Sequence, residues 1–218
     1  MNKMNTLLVP LSSHFKLNIK DDVFVSDEWN AIFDGLSLDS ELLKHSQNVT
    51  YYSMLIFDHM KDLCNLNDHD REILFFSAFL HDIGKIYVKF DVLHKSAKLT
   101  PEEFAEIKKH PVFGFDFLQK FKHFSLVLDN ILHHHERFDG KGYPKGLYGN
   151  SIPILSRIIA VADAFDAMTS YRSYKKTYSR DYALGEIIEN AGCQFDPFVA
   201  ECFINICQTK EVSLGFQS

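Results

Sequence analysis

From Ile73 to Leu80 the chain is apolar on nearly every side, and this run leads directly into His81-Asp82-Ile83-Gly84-Lys85. A helix without a polar face has to lie inside a fold, so its end delivers an imidazole and a carboxylate from within the core. The His offers a metal one nitrogen, whereas the carboxylate has two oxygens and can bridge two ions. One helix end can therefore anchor a dinuclear centre. Gly84 permits a backbone turn after the ligands, and Lys85 adds a point charge that suits phosphate oxygens. His-Asp pairs are also common at capped helix ends, so the rest of the chain has to decide what this one is for.

With 218 residues the chain can form one good-sized domain, or one domain and a small appendage, without disulfide or metal staples. Cys64, Cys193, Cys202 and Cys207 have neither ribbon spacing nor the density of a disulfide scaffold, which favours a reducing compartment. The apolar runs are too short to span a bilayer, and no basic region followed by a sustained apolar one opens the chain. The expectation is a cytoplasmic protein with no membrane association. A net charge of −6 argues against a DNA or RNA polymer as partner, since such binders present a broad basic surface.

Residues 1–37 lack a sustained period and are read as a short N-terminal segment with no recognised sensor domain, which packs on the main domain; His14 is placed at the surface. From Ser37 or Asp39, either a suitable N-cap, to about Cys64, apolar residues recur at helical steps with His45 in the buried stripe and Glu41 on the same face. Asn67-Asp68 caps the central helix. Residues Lys89 to Leu99 read as an irregular polar connection with His94 exposed. Thr100-Pro101-Glu102-Glu103 is a capping box that opens a helix expected to end at His110-Pro111. Val112 to Phe121 is amphipathic, and a further helix opens near Ser125 and closes in His133-His134-His135-Glu136. Adjacent helical residues point about 100° apart, so one of these three imidazoles is a bystander. The loop Asp139 to Gly146 carries Tyr143 away from them, with glycines that allow positive φ. A helix from Ser151-Ile152-Pro153 holds Asp163 and Asp166, two carboxylates on one side of it. Two capped helices, Ser179 to Ala191 and Asp196 to about Gln208, complete the core, and residues 211–218 form a tail.

His45, His81, Asp82, His110, His134, His135 and Asp163 thus bring imidazoles and carboxylates, and no thiolate, from helix interiors and ends. Such a set suits an iron or manganese pair bridged by Asp82, with zinc a poorer match. Two metals generate hydroxide and polarise a phosphoryl oxygen, which makes hydrolysis of a phosphate ester the natural chemistry.

In order along the chain stand His45, His81-Asp82-Ile83-Gly84-Lys85, His110-Pro111 with Gly114, His134-His135-Glu136-Arg137 with Asp139-Gly140, and Gly142-Tyr143-Pro144. Ile152-Pro153, Ala162 to Ala167, and Arg172 with Tyr174 follow. This series resembles the HD-GYP branch of the HD phosphohydrolases over roughly residues 38–210. The resemblance implies an all-α HD-domain helical bundle with the metal site in its core. It implies hydrolysis of cyclic di-GMP to linear pGpG, and in some members to GMP, by a metal-bridged hydroxide attacking phosphorus.

By the same resemblance Glu41, His45, His81, Asp82, His110, His134, His135 and Asp163 are the ligands of two or three divalent ions, Glu41 serving a third. Asp82 and Lys85 are the catalytic pair. Lys85, Tyr143, Arg172 and Lys175 face the substrate, and Asp166 joins that set by orienting the site from behind its ligands. The chain has Phe138 and Ser173 where relatives usually carry Trp and Pro, and neither change removes a ligand. Three other readings stay open at this point: a cyclic GMP-AMP phosphodiesterase, a non-catalytic receptor or interaction module, and a mononucleotide phosphohydrolase. A homodimer or a signalling protein is compatible as partner.

Overall fold

The computed structural model describes residues 39–171 and 177–209, together with residues 14, 15, 32 and 36. Among the described residues the architecture is helical and contains no strand. Helix α1 (Ser40–Met60) is capped by Asp39, whose Oδ1 accepts the backbone N–H of Glu41 at 2.9 Å and of Leu42 at 3.0 Å. Helix α2 (Asp68–Leu80) opens on a capping box made by Asn67 and Asp70. A 3-10 helix, Ile83–Tyr87, and the short α3 (Phe90–Leu93) follow. Thr100 and Glu103 cap α4 (Pro101–Ile107), which leads into α5 (His110–Leu118) and α6 (Leu128–His133). After the Tyr143 loop come α7 (Ile154–Thr169), α8 (Arg180–Glu189) and α9 (Pro197–Thr209).

Helix α1 is the axis of the bundle and packs against α2, α7 and α9. Its Tyr52 is fully enclosed, edge-on to Phe165 of α7 and Phe203 of α9 at centroid distances of 5.0 and 6.1 Å. Leu74, Phe75, Ala78, Phe79 and Leu80 are all buried, as the apolar run that closes α2 requires. Phe15, Ile32 and Leu36 are buried in the same core, and Phe15 O accepts from Arg71 Nη1 at 2.7 Å, so the described part of the N-terminal segment packs on the bundle. His14 is exposed, as expected.

Several boundaries differ from the sequence reading. Helix α1 stops at Met60, because Asn65 takes a positive φ of 53° in the turn that follows. The 89–99 connection contains α3, and His94 is half-buried, its Nε2 3.0 Å from Asp39 Oδ2. His110 does not close a helix. The preceding helix ends at Ile107, and His110-Pro111 opens α5, because a proline at the first turn needs no N–H donor there. Gly84 also acts differently: it stands where any Cβ would lie 2.0 Å from His110 O and 2.5 Å from Gly114 N. Its role is close approach of the 3-10 helix to α5, with no demand for a positive φ.

Candidate metal centre

Five helices aim side chains at one buried spot. His81 follows the last turn of α2, His110 starts α5, and His134 follows α6. In each, Nδ1 donates to the carbonyl three residues back: His81 to Ala78 at 2.7 Å, His110 to Ile107 at 2.8 Å and His134 to Ile131 at 2.6 Å. A carbonyl can only accept, so the proton sits on Nδ1 and the Nε2 lone pair is left for the centre. His45 on α1 reaches the same state through a carboxylate, its Nδ1 donating to Asp166 Oδ2 at 2.6 Å.

Asp82 lies between the imidazoles with its oxygens divided. Oδ1 is 3.0 Å from His110 Nε2 and 4.0 Å from His134 Nε2, whereas Oδ2 is 3.4 Å from the Nε2 atoms of His45 and His81. Asp163 Oδ1 lies 3.1 Å from His45 Nε2. Two compact groups result, Asp82 with His110, His134 and His135, and His45 with His81 and Asp163; within each, one donor atom per residue lies within 4.8 Å of all the others. His133 belongs to neither group and lies beside Glu136, which makes it the bystander of the three consecutive histidines.

The donors fit divalent ions. The Nε2 atoms of His110 and His134 are 3.2 Å apart with both lone pairs inward, a separation that two nitrogens each about 2.1 Å from a shared ion can span. Without a cation between them they would repel. Nε2 of the fully buried His81 has no hydrogen-bond partner, which is a costly arrangement unless a metal uses the lone pair.

Electrostatics keep the groups in ligand form. Burial pulls His134 well below the ordinary imidazole range, helped by His135, His81 and His110. Burial and then His110 bring His135 down to about 3. Burial alone would raise Asp82, but the Lys85 ammonium, with the imidazoles of His81, His110 and His45 gathered around the carboxylate, holds it well below the usual carboxylate range. Asp163 is likewise held down against burial by His45, His81 and His135.

Lys85 lies on the bridge itself, its Nζ 2.5 Å from Asp82 Oδ2. Asp166 is completely enclosed and also accepts from Asn48 Nδ2 at 2.8 Å and Ser170 Oγ at 2.5 Å. It lines a pocket with Glu41, His45, Asn48 and Ser170, and its bond to His45 Nδ1 places it behind that imidazole, on the side away from Nε2. Glu41 stands one turn before His45 on α1, and the two line a common pocket. The Tyr143 ring packs on His135 with centroids 4.9 Å apart. Burial, then Asp163 and Asp82, push its phenol upward, so it stays neutral and can donate. Arg172 and Lys175 lie outside the described residues.

Three polar residues that support this site were given no role from the sequence, although Glu136 stands in the histidine motif. Asn48 and Ser170 hold Asp166, and the only sequence signal is their helical spacing, three residues after His45 and four after Asp166. Glu136 accepts the backbone N–H of Lys145 at 2.7 Å and of Leu147 at 3.1 Å, which ties the Tyr143 loop to the histidine run. Gly142 fits there because a Cβ would meet Arg137 N at 2.2 Å; the positive φ angles of the loop belong to Gly140 and Gly146.

A model of the HD domain matches residues 36–199. A cyclic di-GMP phosphodiesterase of Thermotoga maritima is 39% identical over 177 residues, which is 80% of this chain and 46% of that protein. The 3'3'-cGAMP-specific phosphodiesterase 2 of Vibrio cholerae is 33% identical over 162 residues, 73% of this chain and 30% of that protein. The chain spans less than half the length of these curated relatives. Among solved structures, a HDG"Y"P protein from Bdellovibrio bacteriovorus superposes with a TM-score of 0.63 at 18% identity, over 94% of this chain and 70% of that one; this likeness concerns the fold alone.

Proposed function

Because the chain belongs to the HD-domain family, in its HD-GYP branch, we propose that it is a metal-dependent phosphodiesterase that opens cyclic di-GMP to linear pGpG. The same chemistry would serve for a second cut to GMP. The observation that carries this reading is the division of Asp82, one oxygen toward His110 and the other toward His45 and His81. A carboxylate so divided is suited to hold two ions side by side.

When bound, two divalent ions activate water for in-line attack on phosphorus and neutralise charge on the phosphate. His45, His81 and Asp163 would hold one ion and His110, His134 and His135 the other, with Asp82 between them and Glu41 available to a third. A donor set of nitrogen and oxygen without thiolate favours iron or manganese. Lys85 is near enough to the bridging carboxylate to neutralise a phosphate oxygen arriving there. Tyr143, neutral beside His135, would donate to the substrate, and Arg172 and Lys175 would hold its phosphate or guanine. Among the described residues no helix is long and apolar enough to cross a membrane, and the cysteines are unpaired thiols. Both observations support action in the cytoplasm, on a cyclic dinucleotide made there, with a homodimer or a signalling protein as partner.

The test is turnover by anaerobically purified chain loaded with iron or manganese, with products separated by chromatography and cyclic GMP-AMP run beside cyclic di-GMP. Metal-dependent loss of cyclic di-GMP is expected. Turnover of cyclic GMP-AMP alone would reassign the substrate, and no turnover of either with metals bound would reduce the protein to a receptor.

A further inference from the structure

Three lysines between α2 and α5 are already neutralised. Lys85 pairs with Asp82 at 2.5 Å, Lys95 with Glu103 at 2.7 Å and Lys109 with Glu106 at 2.9 Å. Lys108 differs from these. It is half-buried at the end of α4, two residues before His110, and no carboxylate among the described residues lies within ion-pair distance of its ammonium. Its Nζ lies over aromatic faces, 4.6 Å from the Tyr143 centroid and 5.8 Å from that of Phe104. Tyr143 in turn packs on His135 of the metal centre. A fixed, unneutralised cation therefore stands one aromatic ring away from the ligands.

A cyclic dinucleotide carries two phosphodiesters in one ring, and only one of them is cut at a time. The reacting phosphate takes its neutralisation from the ions and Lys85. The other arrives with a full negative charge and needs a partner outside the centre. Lys108 makes no ion pair with Asp82 or Asp163, so it stands clear of the ligand carboxylates. Resting on the phosphodiesterase reading above, we propose that Lys108 binds the second, unreacted phosphodiester of the substrate. The site would then select molecules with two phosphodiesters over those with one. Tyr143 sets the position of the cation by offering its ring face.

The test compares Lys108→Met, which keeps the stem and loses the charge, with Lys108→Arg on two substrates: cyclic di-GMP and bis(p-nitrophenyl) phosphate, which has a single phosphodiester. In Lys108→Met the KM for cyclic di-GMP should rise about tenfold or more with kcat little changed, as expected for loss of one charge-assisted hydrogen bond. Lys108→Arg should restore most of the affinity. Turnover of bis(p-nitrophenyl) phosphate and metal content should be unchanged in both. An unaltered KM for cyclic di-GMP in Lys108→Met would overturn the proposal, as would an equal loss on both substrates, which would assign Lys108 to the reacting phosphate or to the ligand frame. Wild-type chain that cleaves bis(p-nitrophenyl) phosphate and no cyclic dinucleotide would instead overturn the parent reading, and this proposal with it.

Discussion

The protonation pattern of the imidazoles is set by single hydrogen bonds, and His45 is the most exposed to change because its Nδ1 faces the side chain of Asp166 while the others face backbone carbonyls. In Asp166→Asn an amide N–H can be turned toward Nδ1, which forces the proton to Nε2 and removes the lone pair from the centre. Metal affinity should fall about 10- to 100-fold while the fold is retained, as read by competition with a chelator; unchanged affinity would remove Asp166 from this role. Sequence alone brings the ligand types to light, since histidines and aspartates at the ends and inside apolar helices are costly unless used. Residue type and spacing alone do not separate Asp163 from Asp166, which share a helix side and were told apart only by the family resemblance, because the difference lies in whether the carboxylate meets the imidazole at Nε2 or at Nδ1. Lys108 was equally invisible: its role depends on an aromatic ring 35 positions later in the chain.

At the level of elements, the centre depends on the 3-10 helix meeting α5. Gly84 allows this contact, since an added methyl would overlap His110 O and Gly114 N. Gly84→Ala should therefore destabilise the protein by on the order of 3 kcal/mol, seen as a lower urea midpoint, and should weaken metal binding by displacing His110. A midpoint equal to wild type would show that the two elements can separate without cost. Helices with capping boxes were legible, as the Asn67 and Thr100 starts attest. The α4–α5 junction was misplaced because a proline ends one helix or begins another with the same local preference, and only packing against Gly84 decides. The Asp139–Tyr148 pairing that closes the Tyr143 loop was not foreseen either, and Arg137 contributes by holding Asp139 down to about 2 through a two-toothed ion pair.

For the whole molecule, the ligands come from five helices that converge on the centre, so ions bound there would act as a non-covalent staple on the bundle. Metal that binds the folded chain and not the unfolded one stabilises it by about 4 kcal/mol at a thousandfold excess over Kd. Removal with a chelator should lower Tm by several degrees and re-addition of manganese should restore it; a Tm indifferent to chelation would mean that the helices need no ion to converge. The all-α architecture was readable from periodicity, and the apolar second half of α2, Ile73 to Leu80, had to be buried. The account finally rests on the claim that Asp82 serves two ions at once. Metal content per chain, measured by mass spectrometry on wild type and Asp82→Ala after iron or manganese loading and desalting, tests this most directly. Two or three ions in the wild type, falling to one or none in the variant, is the predicted result. A single ion in the wild type, or two retained without the Asp82 carboxylate, would contradict it.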